Sequence, residues 1–542
     1  MLLVGLVFFV LRIHHSVSFL AVPFKSIQRP ANTKQGCLTF FKRSPIETTV
    51  SSTLSTSIAF SSALYQSSLP VSTMTTKESD ITVFGATGWV GRYILEYLLE
   101  ASKTEKKALK VTLAGRNKTK LETRKAALLS ETTTFTGTEL DVCIADSSDS
   151  KAIRAMVERT KVVICAAGPF FKYANHVVAA CAQCGTDYVD ITGEFTWAGT
   201  MRLKHGEASK KSGARIISLC GFDSIPSDIS IYAAVHELRK LRGDNVKIES
   251  GTTWFACEGG LNGGTVATLV DFPFDKKQMF VDSDGKLRSV PWFIGSPLVL
   301  THPKQVLHNP EYKAVQDKMA WSEWRNQLPS FDSVIRYGMS LPFFMAASNA
   351  KVVQASSVAL KYGPAFTYRE RHLPFGFGTT RLMSIWSSIP SILFWFGFNL
   401  LLTTFTLPVV GAMLANLTLP PGTGQPKEVC EKGWLEVYAD VTAPAAAPSK
   451  EGNVDRATCF FSMKGDPGNF ATAHTVGEAA LSLLWNKTEL PPRSEDGFGT
   501  PAELLGDVLV TRILGSKVRK ATMTLKVLKD RPKNDVVVHK HV

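Results

Sequence analysis

Hydrophobic and polar positions change period along this chain, and the changes mark out its elements. Ile81-Thr82-Val83-Phe84 is a short β-rich run that stops at Gly85. After Gly91 the apolar residues Ile94, Leu95, Leu98 and Leu99 recur at helical spacing. The pattern predicts a strand, a tight glycine turn and a helix. Downstream, KVTLAG, ELDVCIAD, VVICAAGPF, TDYVDITGE and RIISLCGFD each read as a strand, with helical patterns between them. Short apolar strands alternating with helices predict a parallel, doubly wound sheet. In CGFDSIPSD, Pro226 at a first helical turn with Ser224 nearby marks a helix start. In GTPAELLGDVL, Thr500 as N-cap, Pro501 at the first helical position and Glu503 form a capping box.

A different pattern runs through residues 382–426, where no residue is charged. Its centre, SILFWFGFNLLLTTFTLPVVGAMLANLTL, exceeds the roughly 20 apolar residues that cross a bilayer core. Pro408 and Gly411 interrupt its second half. Three readings stay open: a transmembrane helix, a hairpin or interfacial segment on a membrane or lipid-droplet surface, and a buried core helix. Arg381 and Lys427 bracket the run, as suits an interface. The predicted organisation is a nucleotide-binding domain at 78–240 and a C-terminal α+β domain at 241–542, which carries the apolar segment at about 382–418.

Residues 1–73 form a separate piece. LLVGLVFFVL has the length of a signal-peptide core. The rest is Ser/Thr-rich, with six Lys/Arg over the whole piece against one acid, Glu47. A signal peptide followed by an acid-poor, hydroxyl-rich stretch resembles a two-part plastid presequence, with the junction at Ser18-Phe19. The alternatives are a retained signal anchor, or a start at Met74 that leaves the protein cytoplasmic or on a lipid-droplet surface. The formal charge is +14, and removing the leading +5 leaves about +9. No Lys/Arg run is interleaved with aromatics, so nucleic acid is not an expected partner. Nine cysteines are scattered. Cys181 and Cys184 form one C-x-x-C without a second pair at zinc spacing, so buried thiols are expected and no metal site.

The glycine turn carries the candidate chemistry. Gly85 permits the turn, Gly88 lets the backbone approach a pyrophosphate, and Gly91 lets the helix pack close to the strand. With Ala86, Thr87, Trp89 and Val90 between them, they aim N–H groups and a helix's positive end at one spot. The next strand ends in Gly115-Arg116, where an NAD enzyme would place an acid on the ribose hydroxyl. A guanidinium there suits a 2′-phosphate, so the expected cofactor is NADP. Asp146, at another strand's carboxyl end, falls on the adenine side. Ala167 and Gly168, in AAGPF, fall at a strand end where ligands sit in such sheets. None of the eleven tyrosines has Lys four residues later. That argues against extended short-chain dehydrogenases, which pair a similar glycine turn with Tyr-x-x-x-Lys.

Together, FGATGWVGR, LAGRN, AAGPF, HVVAACAQCGTDYVDITGE and CGFDSIPSD resemble the saccharopine dehydrogenase-like oxidoreductases, the group that includes trans-acting enoyl reductases. Later echoes are GGTVATL, GWLEVYAD, DPGNFATA and GTPAELLGDVLVTRI. The resemblance implies an NADP-type Rossmann domain and a C-terminal α/β domain whose strands complete the site. It supplies no settled catalytic residue.

The expected function is NADPH-dependent reduction of a lipophilic enoyl or carbonyl compound, with a membrane or lipid-droplet surface as partner. A homodimer is compatible with the sequence. Tyr173, just after the GPF turn, is the first candidate proton donor, and Asp223 is the second. Each also has a structural reading: Tyr173 as packing at a helix start, Asp223 as a helix cap. Two other functions compete, a non-catalytic NADP-binding scaffold at a membrane surface and a saccharopine-type imine reductase.

Overall fold

The computed structural model describes residues 77–131, 135–260, 262–271, 279–281, 287–289, 299–302, 329–332, 338–372, 389, 392–393, 395–397, 400–401, 403–404, 407–418, 420, 422–446 and 452–532. The expected presequence at residues 1–73 and the alternative start at Met74 lie outside these residues.

The first half alternates strand and helix as its periodicity predicts. In order it runs β1 (Ser79–Phe84), α1 (Trp89–Glu105), β2 (Lys110–Gly115), α2 (Lys118–Glu131), β3 (Glu139–Ile144), α3 (Ser150–Glu158) and β4 (Thr160–Cys165). There follow α4 (Phe170–Tyr173), α5 (Asn175–Cys184), β5 (Asp187–Asp190), α6 (Phe195–Ser212), β6 (Ile216–Ile217) and α7 (Ile225–Arg242). The second half contains β7 (Ser250–Glu258), α8 (Gly263–Asp271), the hairpin β8 (Met279–Val281) and β9 (Leu287–Ser289), β10 (Ser330–Asp332), β11 (Gly338–Pro342), α9 (Ala346–Ala359) and β12 (Thr367–His372). It closes with α10 (Pro408–Thr418), α11 (Lys427–Lys432), β13 (Trp434–Pro444), β14 (Asn453–Lys464), α12 (Thr472–Trp485), β15 (Phe498–Gly499), α13 (Pro501–Gly515) and β16 (Ala521–Pro532).

Seven strands form a parallel sheet in the order β15-β6-β5-β4-β1-β2-β3. The chain winds outward from β1 to β3 and returns to β4 on the other side of β1. The carboxyl ends of β1 and β4 therefore flank the switch point, where a crevice opens in such sheets. Ile94, Leu95, Leu98 and Leu99 of α1 are fully buried, as their spacing requires. The second sheet is mixed, in the order β10-β11-β12-β7-β13-β14-β16, with β12 and β7 parallel and the other pairs antiparallel. The two halves interlock, because β15 extends the first sheet, α12 packs on α1 and β4, and α7 packs on β13 and β14. The capping box forms at Thr500 and Glu503.

The helix start expected at Pro226 and Ser224 forms, with Ser224 at the N-cap of α7 and Pro226 in its first turn. The Ser224 hydroxyl makes no cap bond to that helix. It donates instead to Asn349 Oδ1 at 2.9 Å, with the Ser224 backbone at φ 104°. One expectation needs correction: no long apolar helix is found among the described residues of the 382–418 stretch. Residues 382–388 lie outside the described ones, and α10 is only 11 residues long. No helix among the described residues is long and apolar enough to cross a membrane. The stretch does expose apolar surface. Of 16 exposed large apolar side chains among the described residues, eight fall in it: Ile389, Leu393, Phe396, Leu400, Leu407, Val410, Met413 and Leu417.

Candidate functional site: a dinucleotide cradle and a buried acid

The turn after β1 has the geometry its glycines predict. Gly85 has φ +89°, and a Cβ there would lie 2.8 Å from the backbone of Ala166 and Ala167. A Cβ on Gly91 would run into the Gly85 carbonyl. Gly88 is the N-cap of α1, offers no side-chain acceptor, and donates its own N–H to Gly85 O at 2.9 Å. The first amides of a helix have no intrahelical partner, so this end of α1 presents donors. Ala86 and Val90 are buried, while Thr87 and Trp89 are half-buried. Trp89 meets Tyr93 edge-on at 5.9 Å, and its indole N–H is buried without a partner.

Arg116 is exposed just beyond β2, and Asp146 lies just beyond the adjacent β3. Asp146 accepts from Ser148 N at 2.9 Å and Ser148 Oγ at 2.7 Å; these bonds lower its pKa, and the Arg116 charge adds to the effect. Ala167 and Gly168 follow β4, beside the glycine turn: Ala166 N–H donates to Phe84 O at 2.8 Å. Tyr173 ends the short α4 and is 36 % exposed.

Asp223 lies at the carboxyl end of the same sheet. Its Oδ2 presses against Gly193, just beyond β5, and its Oδ1 is buried without a hydrogen-bond partner. It does not cap α7. Burial pushes its carboxyl well above the usual carboxylate range; the Ser348 hydroxyl opposes the shift and the charge of Glu370 adds to it. Glu370 is itself buried, with its pKa raised to about 7, and accepts from Asn349 Nδ2 at 2.6 Å, Tyr368 OH at 2.6 Å and Ser227 Oγ at 2.8 Å. Beside Gly193, Glu194 is fully buried. Burial pushes its pKa up to about 8, against the pull of the two backbone N–H groups it accepts from, those of Phe171 and Phe170.

The family of the saccharopine dehydrogenase NADP-binding domain matches residues 81–247. A Mycobacterium tuberculosis protein named as a candidate trans-acting enoyl reductase is 30% identical over 456 residues, covering 84% of this chain and 99% of that protein. The chain belongs to the saccharopine dehydrogenase-like oxidoreductases. A trans-acting enoyl reductase of Mycobacterium bovis is 28% identical, covering 83% of this chain and 99% of that one. A lipid droplet localized protein of Caenorhabditis elegans is 34% identical over 197 residues, covering 35% of this chain and 44% of that one. Among solved structures, apo saccharopine dehydrogenase (L-Glu forming) from Saccharomyces cerevisiae aligns over 83% of this chain and 100% of that one, with 12% identity and a TM-score of 0.42.

As an oxidoreductase of this family, the chain uses NADP, and its own residues fit that cofactor. Gly85 and Gly91 let the turn close against the backbone of residues 166–167 and against itself, α1 begins without a side-chain cap, and an exposed guanidinium stands beyond β2. Sequence reasoning missed Glu194, Asn349 and Glu370. Glu194 follows a strand end in the quoted TDYVDITGE, but its amide partners lie 23 and 24 residues away, so no local spacing flags it. Cys181 is buried and Cys184 half-buried, and burial raises both thiols above their ordinary pKa.

Proposed function

We propose that this oxidoreductase reduces a lipophilic enoyl or carbonyl compound with NADPH, at a membrane or lipid-droplet surface, and that Asp223 is its proton donor. The observation that carries the mechanism is a carboxyl packed against Gly193 at the carboxyl end of the sheet, with burial favouring its neutral form. Its Oδ2 lies against Gly193, and its Oδ1 is buried without a hydrogen-bond partner. Gly193 precedes Glu194, which contacts the amides of the GPF turn, so the acid and the cofactor crevice share one strand end.

NADPH, when bound, supplies a hydride. The chain's part is to orient the acceptor and deliver the matching proton. Reduction of a carbon–carbon double bond adds hydride to one carbon and a proton to its neighbour. The proton comes from the Asp223 carboxyl, which is left as carboxylate and regains a proton from solvent. Burial raises that carboxyl's pKa well above the usual carboxylate range, which favours the protonated form a donor needs. Tyr173, at the exposed end of α4, is the alternative donor.

The lipophilic substrate is supported by the relatives named as enoyl reductases, by the relative named for lipid droplets, and by the apolar side chains exposed between Ile389 and Leu417. The test is NADPH consumption by the purified chain against fractionated lipid extracts and medium- to long-chain enoyl and carbonyl compounds. Saturable, substrate-dependent oxidation with a reduced product identified by mass supports the proposal. Cofactor binding without turnover on any lipid would leave a scaffold, and turnover only on a charged imine would make the protein a saccharopine-type reductase.

A further inference from the structure

Glu194 is the residue immediately before α6, yet its carboxylate makes no bond to that helix's first turn. It reaches instead to another helix. Oε1 accepts from Phe170 N at 2.9 Å and Oε2 from Phe171 N at 2.8 Å. These are first-turn amides of α4, whose own N-cap is Pro169 and has no side-chain acceptor to give. Glu194 thus caps α4 from across the fold, with one oxygen on each of two N–H groups that would otherwise lack a partner. Thr268 Oγ1 of α8 lies 3.5 Å from Oε1, on the same side as Gly168.

Residues 166–169 are therefore held at both ends. One end lies against the glycine turn, through Ala166 N–H to Phe84 O at 2.8 Å. The other end runs into the two amides that Glu194 holds. The adenine side of the crevice, at the ends of β2 and β3 with Arg116 and Asp146, has no contact with Glu194.

We propose that Glu194 is a positioning residue for the nicotinamide half of the dinucleotide. It fixes the backbone of residues 167–171 through their amides and leaves the adenine half untouched. The test needs no substrate, so its outcome is independent of which compound the enzyme reduces. NADPH affinity is measured by fluorescence and 2′,5′-ADP affinity by calorimetry, for the full chain and two variants. Glu194→Gln keeps the size of the side chain but turns one acceptor into a donor facing an amide N–H. Asp228→Asn is a matched control: another fully buried carboxylate, bonded to Ser356 Oγ at 2.6 Å and Ala502 N at 2.8 Å, away from the crevice.

For Glu194→Gln the NADPH Kd should rise about tenfold or more while the 2′,5′-ADP Kd stays within about twofold; Asp228→Asn should change neither. Equal weakening of both ligands by Glu194→Gln would reduce the residue to a fold-holding role, and an unchanged NADPH Kd would remove any role. Should Glu194→Gln not fold, Thr268→Val removes only the third contact. It should then raise the NADPH Kd about twofold to threefold with 2′,5′-ADP unchanged, and no change would overturn the proposal.

Discussion

The three glycines of the turn should fail in different ways, which separates fold from cofactor. Gly85→Ala meets two obstacles. The residue has φ +89°, a conformation that costs an L-residue about 1–2 kcal/mol, and its new Cβ would stand 2.8 Å from backbone atoms of Ala166 and Ala167. Overpacking against backbone adds about 1–3 kcal/mol, for a total of about 2–5 kcal/mol. Unfolding a unit of about 450 residues carries roughly 1 kcal/mol/K of entropy, so the Tm should fall by about 2–5 °C. Gly88→Ala differs. Its backbone is extended, at φ −70° and ψ 167°, and its nearest neighbour, Gly85 O, would lie 3.1 Å away. Replacing glycine by alanine at an N-cap costs up to about 1 kcal/mol, a shift of about 1 °C. The new methyl would stand where the pyrophosphate approaches, and NADPH affinity should drop at least about tenfold. The assays are scanning calorimetry and NADPH fluorescence titration on the same preparations. Gly88→Ala with unaltered NADPH affinity would refute the assignment of the turn, and so would Gly85→Ala with wild-type Tm.

Four further outcomes are expected. Arg116→Ala should weaken NADPH about tenfold and leave NADH within about twofold, because only NADPH offers the phosphate; equal losses would refute the phosphate role. Asp223→Asn should lower kcat by about 10²–10⁴ with NADPH affinity unchanged, Tyr173→Phe should alter kcat less than about threefold, and the reverse pattern would make Tyr173 the donor. Thermal stability should fall between pH 5.5 and 8. Burial raises Asp190 to about 6 and Asp228, Glu370 and Glu478 to about 7, so their contribution is complete below the ordinary carboxylate range and lost as pH rises through these values. His474, lowered to about 3, acts oppositely but only below about pH 6.5, so a Tm that rises from 5.5 to 8 would contradict the assignment. Finally, Leu393→Asp with Leu400→Asp should abolish flotation of the chain with phospholipid vesicles, and unchanged flotation would free that face of any lipid role.

What the sequence made legible is what acts locally. A positive φ at Gly85 and a missing Cβ at Gly91 are consequences of a turn spanning seven residues, so the glycine spacing and the flanking periodicities suffice to place strand, turn and helix. The strand ends at Arg116, Asp146 and Ala167 follow from the same alternation once the sheet is parallel. The acid side is different. Asp223 precedes a Ser at a helix start, and local statistics favour a cap there, yet the fold sets its Oδ2 against Gly193 and buries its Oδ1 without a partner. Its environment is set by Ser348 and Glu370, more than a hundred residues downstream, on α9 and β12. Glu194 is likewise hidden, since its two strong partners are backbone amides, which leave no trace in side-chain pattern, and its third, Thr268, lies 74 residues away.

The apolar run shows where hydropathy stops deciding. Ala415 of α10 packs with Val266 and Val270 of α8, and Leu401, Ala412 and Leu414 join that contact, while Val410, Met413 and Leu417 face outward. A helix apolar on both faces reads equally well as core, interface or span, because hydropathy counts residues without assigning them a side. The distinction comes from its neighbour. The helix that receives the buried face, α8, reaches the crevice one turn along through Thr268 and bonds α4 at its end, where Lys172 Nζ and Asp271 Oδ2 meet at 2.6 Å. The exposed apolar face of α10 and the GPF turn are thus linked through one short helix, α8. A lipophilic compound could rest on the outer face of α10, two helices from that turn, whereas a small polar substrate would gain nothing from that surface.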